Sequence, residues 1–526
     1  MSCSYNSSPP VLLPVAPSVT ISVSPANILL GESATLSWSS SGVLACTASG
    51  AWSGSQPAQG SLTVTPSTTG TLLYTLTCST ASGSVAQSAT LTVIAVAAHA
   101  TARSLPPCTT ALINACSDGS RGGSAPPLSA SAVWDHPAGT SGILSLAVWG
   151  GTIYLGGTFT SVAGTARNRL AAIDASSGAL LNWNPDVELS NSNPTPCGNP
   201  GRLAPVAQVC ALAVAGGVVL AGGSFTSVGG ESHHSLAAIA ASSGAVLPWK
   251  LDVVYSAGYL GTINSLVASG GSVYVGGLFN EIGGAQRLDV AKIDASTGAV
   301  EAWRPVVSES PCCGRVNSIA LYGNSVHIGG WGFGVTRPLD ATETYVGLAA
   351  LDANSGATLP WSPHLIGGFS DCVPVPATFN AIARAGPAVF VAGDFISGTA
   401  TCSGNYAAPG LGAISNGTSE LLPWNLQTVG ASGTGCGYST SFAAGENTVY
   451  VGGCFASVGG VSRNNLAALD ATTGAILPWN PNANGQVTAL VVEGGVVYVA
   501  GDFTSIGGTT RYSLAKIDPT TGLVME

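Results

Sequence analysis

The chain reads as all-β: a seven-bladed β-propeller of four-stranded blades behind a small β-sandwich. Three observations predict this. A marker glycine recurs seven times through the C-terminal part, at Gly157, Gly223, Gly277, Gly330, Gly393, Gly453 and Gly501. A closing tryptophan follows six of them, at Trp183, Trp249, Trp303, Trp361, Trp424 and Trp479. The segment ahead of the repeats alternates apolar and polar residues at the period of a half-buried strand.

Each repeat holds strand-like runs bounded by turn residues. In the last copy these are Thr488–Val492, Val496–Ala500 and Ser513–Ile517, with a final strand that bears tryptophan in the other copies. Glu493-Gly494-Gly495 joins the first two runs as a tight turn needing positive φ. Segments such as Ala471-Thr472-Thr473-Gly474 join the third to the fourth. Four antiparallel strands per unit of this length form a propeller blade, and one blade cannot bury both faces, so neighbours stack around an axis. The last copy stops at Glu526, where a tryptophan strand is due, and Val133-Trp134-Asp135-His136-Pro137 stands ahead of the first copy. The N-terminal strand is therefore expected to close the last blade and remove an open edge.

Ahead of the repeats, Val19–Val23, Ala34–Trp38, Ser61–Val64 and Ala89–Val93 alternate like strands. Cys46 and Cys78 lie in two further segments, and one bridge with Trp38 packed nearby would pin a sandwich. The expected organisation is a tether over 1–17, a sandwich over 18–95, an Ala/Ser/Pro/Gly-rich linker over 96–130 and the propeller over 131–526.

The stretch GESATLSWSSSGVLACTASGAWSG resembles the bacterial immunoglobulin-like modules of secreted proteins, which implies an Ig-like spacer or stalk. The repeats, as in VYVGGCFASVGGVSRNNLAALDATTG, are similar to the delta-60-type β-propeller repeats of bacterial secreted proteins. That resemblance implies an extracellular or surface location and no settled chemistry. AALDATTGAILPW (Ala467 to Trp479) resembles the tryptophan-docking motif of quinoprotein dehydrogenases, with tryptophan five residues after glycine rather than four. It implies tryptophans filling the space between blades. Ser2-Cys3-Ser4 before Ser7-Ser8-Pro9-Pro10 resembles the start of a mature bacterial lipoprotein, which would put lipid on Cys3. No signal peptide is expected within these first residues, which lack a basic start and an apolar stretch.

Composition narrows the function classes. Charged residues make up only 8%, lysine occurs at Lys250, Lys292 and Lys516 alone, and the net charge is −10. An acidic chain with no basic patch argues against nucleic acid and gives no polybasic handle for anionic lipid. No apolar run is long enough to span a membrane. Thirteen cysteines without a zinc-type spacing favour disulfides and an oxidising compartment. The expected bridges are Cys46–Cys78, Cys108–Cys116, Cys197–Cys210, Cys372–Cys402 and Cys436–Cys454, with Cys312 and Cys313 left as a vicinal pair. Sequence does not fix this connectivity.

Arg167, Arg287, Arg463 and Arg511 each precede an aspartate by seven residues: Asp174, Asp294, Asp470 and Asp518. The second copy has His233 and Ala240 instead, and Ser415 fills the aspartate position of the fifth. Loss of both members together predicts a structural ion pair within each blade, since a lone buried charge is costly. Repeated positions spread around a wheel and do not converge on one catalytic pocket. His233-His234 are adjacent on a loop and make a poor metal site, and no GxSxG, HExxH or P-loop occurs. No cofactor or metal is therefore expected.

Insertions fall between blades or between second and third strands, for example Val187 to Pro205 and Gly398 to Gly410, and in a propeller these connections emerge on one face. Long loops on a rigid scaffold are where binding usually lives. The expectation is an extracellular or cell-surface binding or assembly protein, whose loop-bearing face meets a glycan, protein or filament. The alternative is a secreted, quinoprotein-like or other propeller enzyme with a site at the channel mouth, where the Cys312–Cys313 pair and Arg315 would contribute.

Overall fold

The computed structural model describes residues 17–94, except 25–26, 30–33, 67, 69 and 81–82, and residues 142–525. Residues 190–206, 257–258, 310–313, 336–343, 346, 362, 364, 371–372, 398–409, 425, 431–437 and 446 of the second stretch are not described. The chain divides into two compact units, Met1–Val96 and Ala97–Glu526. Among the described residues every regular element is a strand, and no helix is long and apolar enough to cross a membrane.

The first unit stacks two sheets. One joins β1 (Ser18–Ser24), β3 (Ala34–Ser41) and β6 (Gln59–Val64). The other runs β2 (Asn27–Leu29), β8 (Gly83–Ile94), β7 (Gly70–Thr80), β4 (Ala45–Gly50) and β5 (Gly54–Gln56). Residues of β3 alternate buried and exposed, so Ala34, Leu36 and Trp38 face the core. Register places Cys46 opposite Cys78, and the two form a disulfide. Trp38, Trp52 and Tyr74 pack edge-on around them, with centroids 5.1 and 6.3 Å apart. Both indole N–H groups donate to backbone carbonyls, Trp38 to Pro57 and Trp52 to Thr75, so neither ring buries an unmet donor.

The second unit repeats one construction. Among the described residues, seven three-stranded antiparallel sheets share the order inner–middle–outer. Their inner strands are Ile143–Trp149, Gln208–Ala215, Thr262–Ser269, Arg315–Tyr322, Thr378–Ala385, Tyr438–Ala444 and Val487–Glu493. A one-residue bridge, such as Ile173 to Leu180 or Ile517 to Val524, starts a fourth strand outside each. Each inner strand packs on that of the next sheet, and the seventh packs on the first. Gly150 and Gly151, at φ 57° and 76°, show why the turn between inner and middle strands is so short.

The residue opening each outer strand is left-handed in all seven sheets: Arg169, Ser235, Asp289, Gly347, Gly410, Asn465 and Ser513, with φ between 58° and 67°. That turn aims its backbone both ways. In the first sheet the Arg169 amide donates to Phe159 and its carbonyl accepts from Gly157, and the same pair recurs at Asn465 and Ser513. The phenylalanine after the marker glycine is thereby held fully buried, as at Phe159, Phe225, Phe279 and Phe503.

Trp134, Cys3, Cys108, Cys116, Cys197, Cys312, Cys313, Cys372, Cys402 and Cys436 lie outside the described residues. Cys454 is disulfide-bonded. Cys210 is buried near the start of the inner strand of the second sheet.

Candidate functional site

The repeated polar residues build the wheel. Among the described residues no ion pair joins Arg167, Arg287 or Arg463 to the aspartate seven residues on; these arginines and aspartates take different partners. Arg167 donates to the carbonyls of Ala166 and Leu181, Arg287 to Gln286 and Glu301, and Arg463 to Ser462 and Leu477. Arg511 donates to Thr510. Each aspartate instead folds back over its own turn. Asp174 Oδ1 accepts from the amides of Ser176 and Ser177 at 3.1 and 2.8 Å and from both hydroxyls. Asp294, Asp470 and Asp518 repeat this with Thr297, Thr473 and Thr521. These bonds favour the ionised form, and side-chain bonding from Ser296 leads the set that holds Asp294 down to about 2. Ser415, at the aspartate position of the fifth sheet, accepts from the Thr418 amide, so a hydroxyl can take over the cap. The local turn wins because its donors lie two and three residues away, whatever the tertiary context.

Each cap positions the next contact. Trp183 donates its indole N–H to Ala240 of the following sheet, Trp303 to Asp352, Trp361 to Ser415 and Trp479 to Asp518, at 2.9–3.1 Å. The acceptor in each case is the backbone carbonyl at the cap position. Tyr154, Tyr274 and Tyr450 send their hydroxyls to the adjacent carbonyl, at Ala241, Ala353 and Pro519. The turn glycine lies against the ring: a Cβ on Gly244 would meet Trp183, and one on Gly522 would meet Trp479. The tryptophans therefore do fill the space between sheets, and Trp183, Trp303, Trp361 and Trp479 each hydrogen-bond one sheet to the next, whereas the Trp249 indole N–H is buried with no partner among the described residues.

Toward the axis lies a network that sequence reasoning missed. Every inner strand carries a β-bulge at the same step, skipping Leu144, Cys210, Asn264, Asn317, Asn380, Thr440 or Thr488. A bulge leaves backbone groups off the ladder, and side chains from neighbouring sheets meet them. Asn264 donates to the Val316 carbonyl and to Asn317, and Asn317 donates to the Phe379 carbonyl. Ser265 and Ser318 accept from the amides of Ile319 and Ile382. Thr488 Oγ1 donates to the Ile143 carbonyl, linking seventh sheet to first. Lys516 Nζ reaches the Ala175 carbonyl across the same junction. The bulge needs the marker glycine: a Cβ on Gly223, Gly277, Gly330, Gly393 or Gly501 would strike the carbonyl of the inner strand. The small residue before it admits the next sheet, since a Cβ on Gly276 would lie 2.8 Å from Val316. The recurring Gly-Gly pair was a readable signal of this network.

These links close a wheel. The second unit is a β-propeller. The family described as "Domain of unknown function (DUF5122) beta-propeller" matches residues 495–522, the last turn-and-strand copy. No curated protein matches the chain. Among solved structures, the propeller chain is similar to a quinonprotein alcohol dehydrogenase-like protein from Bacteroides thetaiotaomicron, at 9% identity, TM-score 0.25 and 95% coverage of each chain. It is also similar to a putative phosphatase from that organism, at 10% identity, TM-score 0.27 and coverage of 95% and 97%. The extracellular domain of a putative hybrid two component system from the same organism follows at 8% identity, TM-score 0.19 and coverage of 73% and 51%. At these scores none of the three bears on what this propeller binds or converts.

The two rims of the propeller differ. On one, segments arriving from the preceding sheet pair with the hairpin between middle and outer strands: Val187 with Val228, Val253 with Ile282, Val307 with Val335, Leu365 with Ser397 and Thr428 with Val458. In the seventh sheet Asn484 does the same work with side-chain bonds to Thr504 and Ser505. The other rim carries the turns between inner and middle strands, such as Gly150-Gly151, and the capped aspartate turns. His234, from the pair His233-His234, lies on the first rim and bonds Asp252 at 2.9 Å, beside a Lys250–Glu231 pair at 3.1 Å. His233 is buried, and burial lowers its pKa. Among the described residues no cluster of His, Cys, Asp and Glu could hold a metal ion.

Proposed function

We propose that this is an extracellular or cell-surface binding protein, with a seven-bladed propeller presented by an immunoglobulin-like module. Its paired-segment rim would engage a glycan, protein or filament. The observation that carries this reading is the knitting of connecting segments into small sheets on one rim only. Connections left loose would lose conformational entropy on binding, whereas connections already paired have lost it during folding. The rim thus offers preorganised attachment points, and its exposed Val429 and Val461 sit in one such small sheet. The Cys46–Cys78 disulfide of the first unit suits an oxidising compartment. The five further cysteine pairings, each with at least one member outside the described residues, a lipid on Cys3 and closure by Trp134 belong to the same proposal.

The test is capture from the native cell surface by the full chain. Val429→Lys with Val461→Lys should abolish capture of the wild-type partner, whereas Thr472→Lys on the turn rim should leave it intact. Equal capture by both variants would overturn the assignment of the rim.

A further inference from the structure

The repeat supplies its own control. Arg384 faces Val389 in the ladder of the fifth sheet. The residues in that place elsewhere are Val148, Val214, Ala268, Leu321, Ala444 and Val492, all apolar. One sheet earlier, His327 occupies the middle-strand position that holds Tyr154, Leu220, Tyr274, Phe390, Tyr450 and Tyr498 elsewhere. Two basic groups thus depart from an otherwise apolar or phenolic pattern, and both fall at the junction of the fourth and fifth sheets.

The cation is held without an anion. The Arg384 guanidinium lies 3.8 Å from the ring centroid of Tyr322, which belongs to the fourth sheet. Its hydrogen bond goes to the Gly386 carbonyl. No carboxylate pairs with it among the described residues. Burial lowers the Arg384 pKa, as expected of a charge that has given up water without gaining a counter-ion. Such a group is costly unless something else compensates it. Tyr322 remains 42% exposed, so the stack opens to solvent at the turn rim. Beneath it His327 is 1% exposed, lies edge-on to Trp361 at 4.9 Å, and leaves Nδ1 without a hydrogen bond.

We propose that the Tyr322–Arg384 stack is a binding site for a small carboxylate on the turn rim, separate from the paired-segment rim. A guanidinium stacked on an aromatic face keeps its in-plane edge for a planar, bidentate acceptor. The phenol hydroxyl of Tyr322 adds a second donor. An entering carboxylate supplies the charge that the chain itself omits, and His327 reports on it because the Arg384 charge acts on its ring.

The test is a titration of the full chain with sodium acetate, at constant ionic strength held with sodium chloride. The readout is the His327 ring resonance in histidine-labelled protein, assigned by its absence in His327→Gln. The wild type should give a saturable shift. Arg384→Lys, which keeps the charge and loses the fork, should weaken the midpoint at least about tenfold, and Arg384→Met should abolish the shift. An unsaturable response in the wild type, or an unchanged midpoint in Arg384→Lys, overturns the site. A tighter midpoint with sulfate than with acetate overturns the assignment to a carboxylate.

Discussion

Trp183 of the first sheet donates its indole N–H to the backbone carbonyl of Ala240 in the second, at 3.0 Å. The relationship recurs between Trp479 and Asp518 at the sixth-to-seventh junction. Replacing Trp479 by Phe keeps an aromatic ring and removes one buried hydrogen bond, and should cost about 1 kcal/mol in chemical denaturation. Trp479→Ala empties the gap as well and should cost about 3–5 kcal/mol. Equal losses in the two variants would show that the hydrogen bond, not the packing, dominates the junction.

The marker glycines separate a steric demand from a conformational one. A Cβ on Gly277 would collide with the Thr262 carbonyl, a backbone atom held in its ladder. Gly277→Ala should therefore destabilise by about 2–3 kcal/mol or more. Gly271 sits in the neighbouring turn with nothing within 4 Å of a Cβ, and Gly271→Ala should stay within about 0.5 kcal/mol. Thermal or urea unfolding of the pair checks both.

Much of this was legible in the chain because the repeat amplifies it. Seven marker glycines, six tryptophans and the strand runs are legible in the residues alone, as is the Cys46–Cys78 bridge. The arginine–aspartate spacing misled, because co-occurrence in sequence does not distinguish a pair from two separate duties. Asp174 has serine donors two and three residues away, and Arg167 has the Leu181 carbonyl across the turn, so neither needs the other. The axial network was invisible for a different reason. Its members, Asn264, Asn317 and Thr488, sit at a bulge, where the period-two reading of a strand breaks.

His327 makes stability depend on acid. Burial, and secondarily Arg384, lower its pKa to about 3, against a hydrogen bond to the Asn416 side chain that opposes the shift. The unfolded chain binds the proton near pH 6.5 and the folded chain does not until about pH 3, so stability falls as pH drops through that window. His327→Tyr restores the residue found at Tyr154 and Tyr274 and should flatten the dependence, by on the order of a few kcal/mol at the acid end. Urea midpoints of both proteins between pH 7 and pH 4 would measure it, and parallel curves would remove His327 as the cause.

The capped aspartates titrate lower. Asp294 ionises near 2 when folded and near 3.8 when unfolded. Its contribution is present above pH 3.8 and is lost as pH falls toward 2, below most of the histidine window. Asp294→Asn should therefore shift unfolding midpoints at pH 7 and leave them almost unchanged near pH 2.

The first unit offers an independent check. The Cys46–Cys78 bridge closes a 32-residue separation, and reduction should destabilise the sandwich by roughly 3–4 kcal/mol through the unfolded chain. Trp38 and Trp52 fluorescence follows it, since both rings pack in the same core as the bridge.

Closure of the wheel is tested most directly by a crystal structure of the full chain viewed along the axis. Seven sheets are expected, with Thr488 of the last inner strand bonded to the Ile143 carbonyl of the first. Six or eight sheets, or a further strand inserted between Ile143–Trp149 and Val487–Glu493, would contradict it.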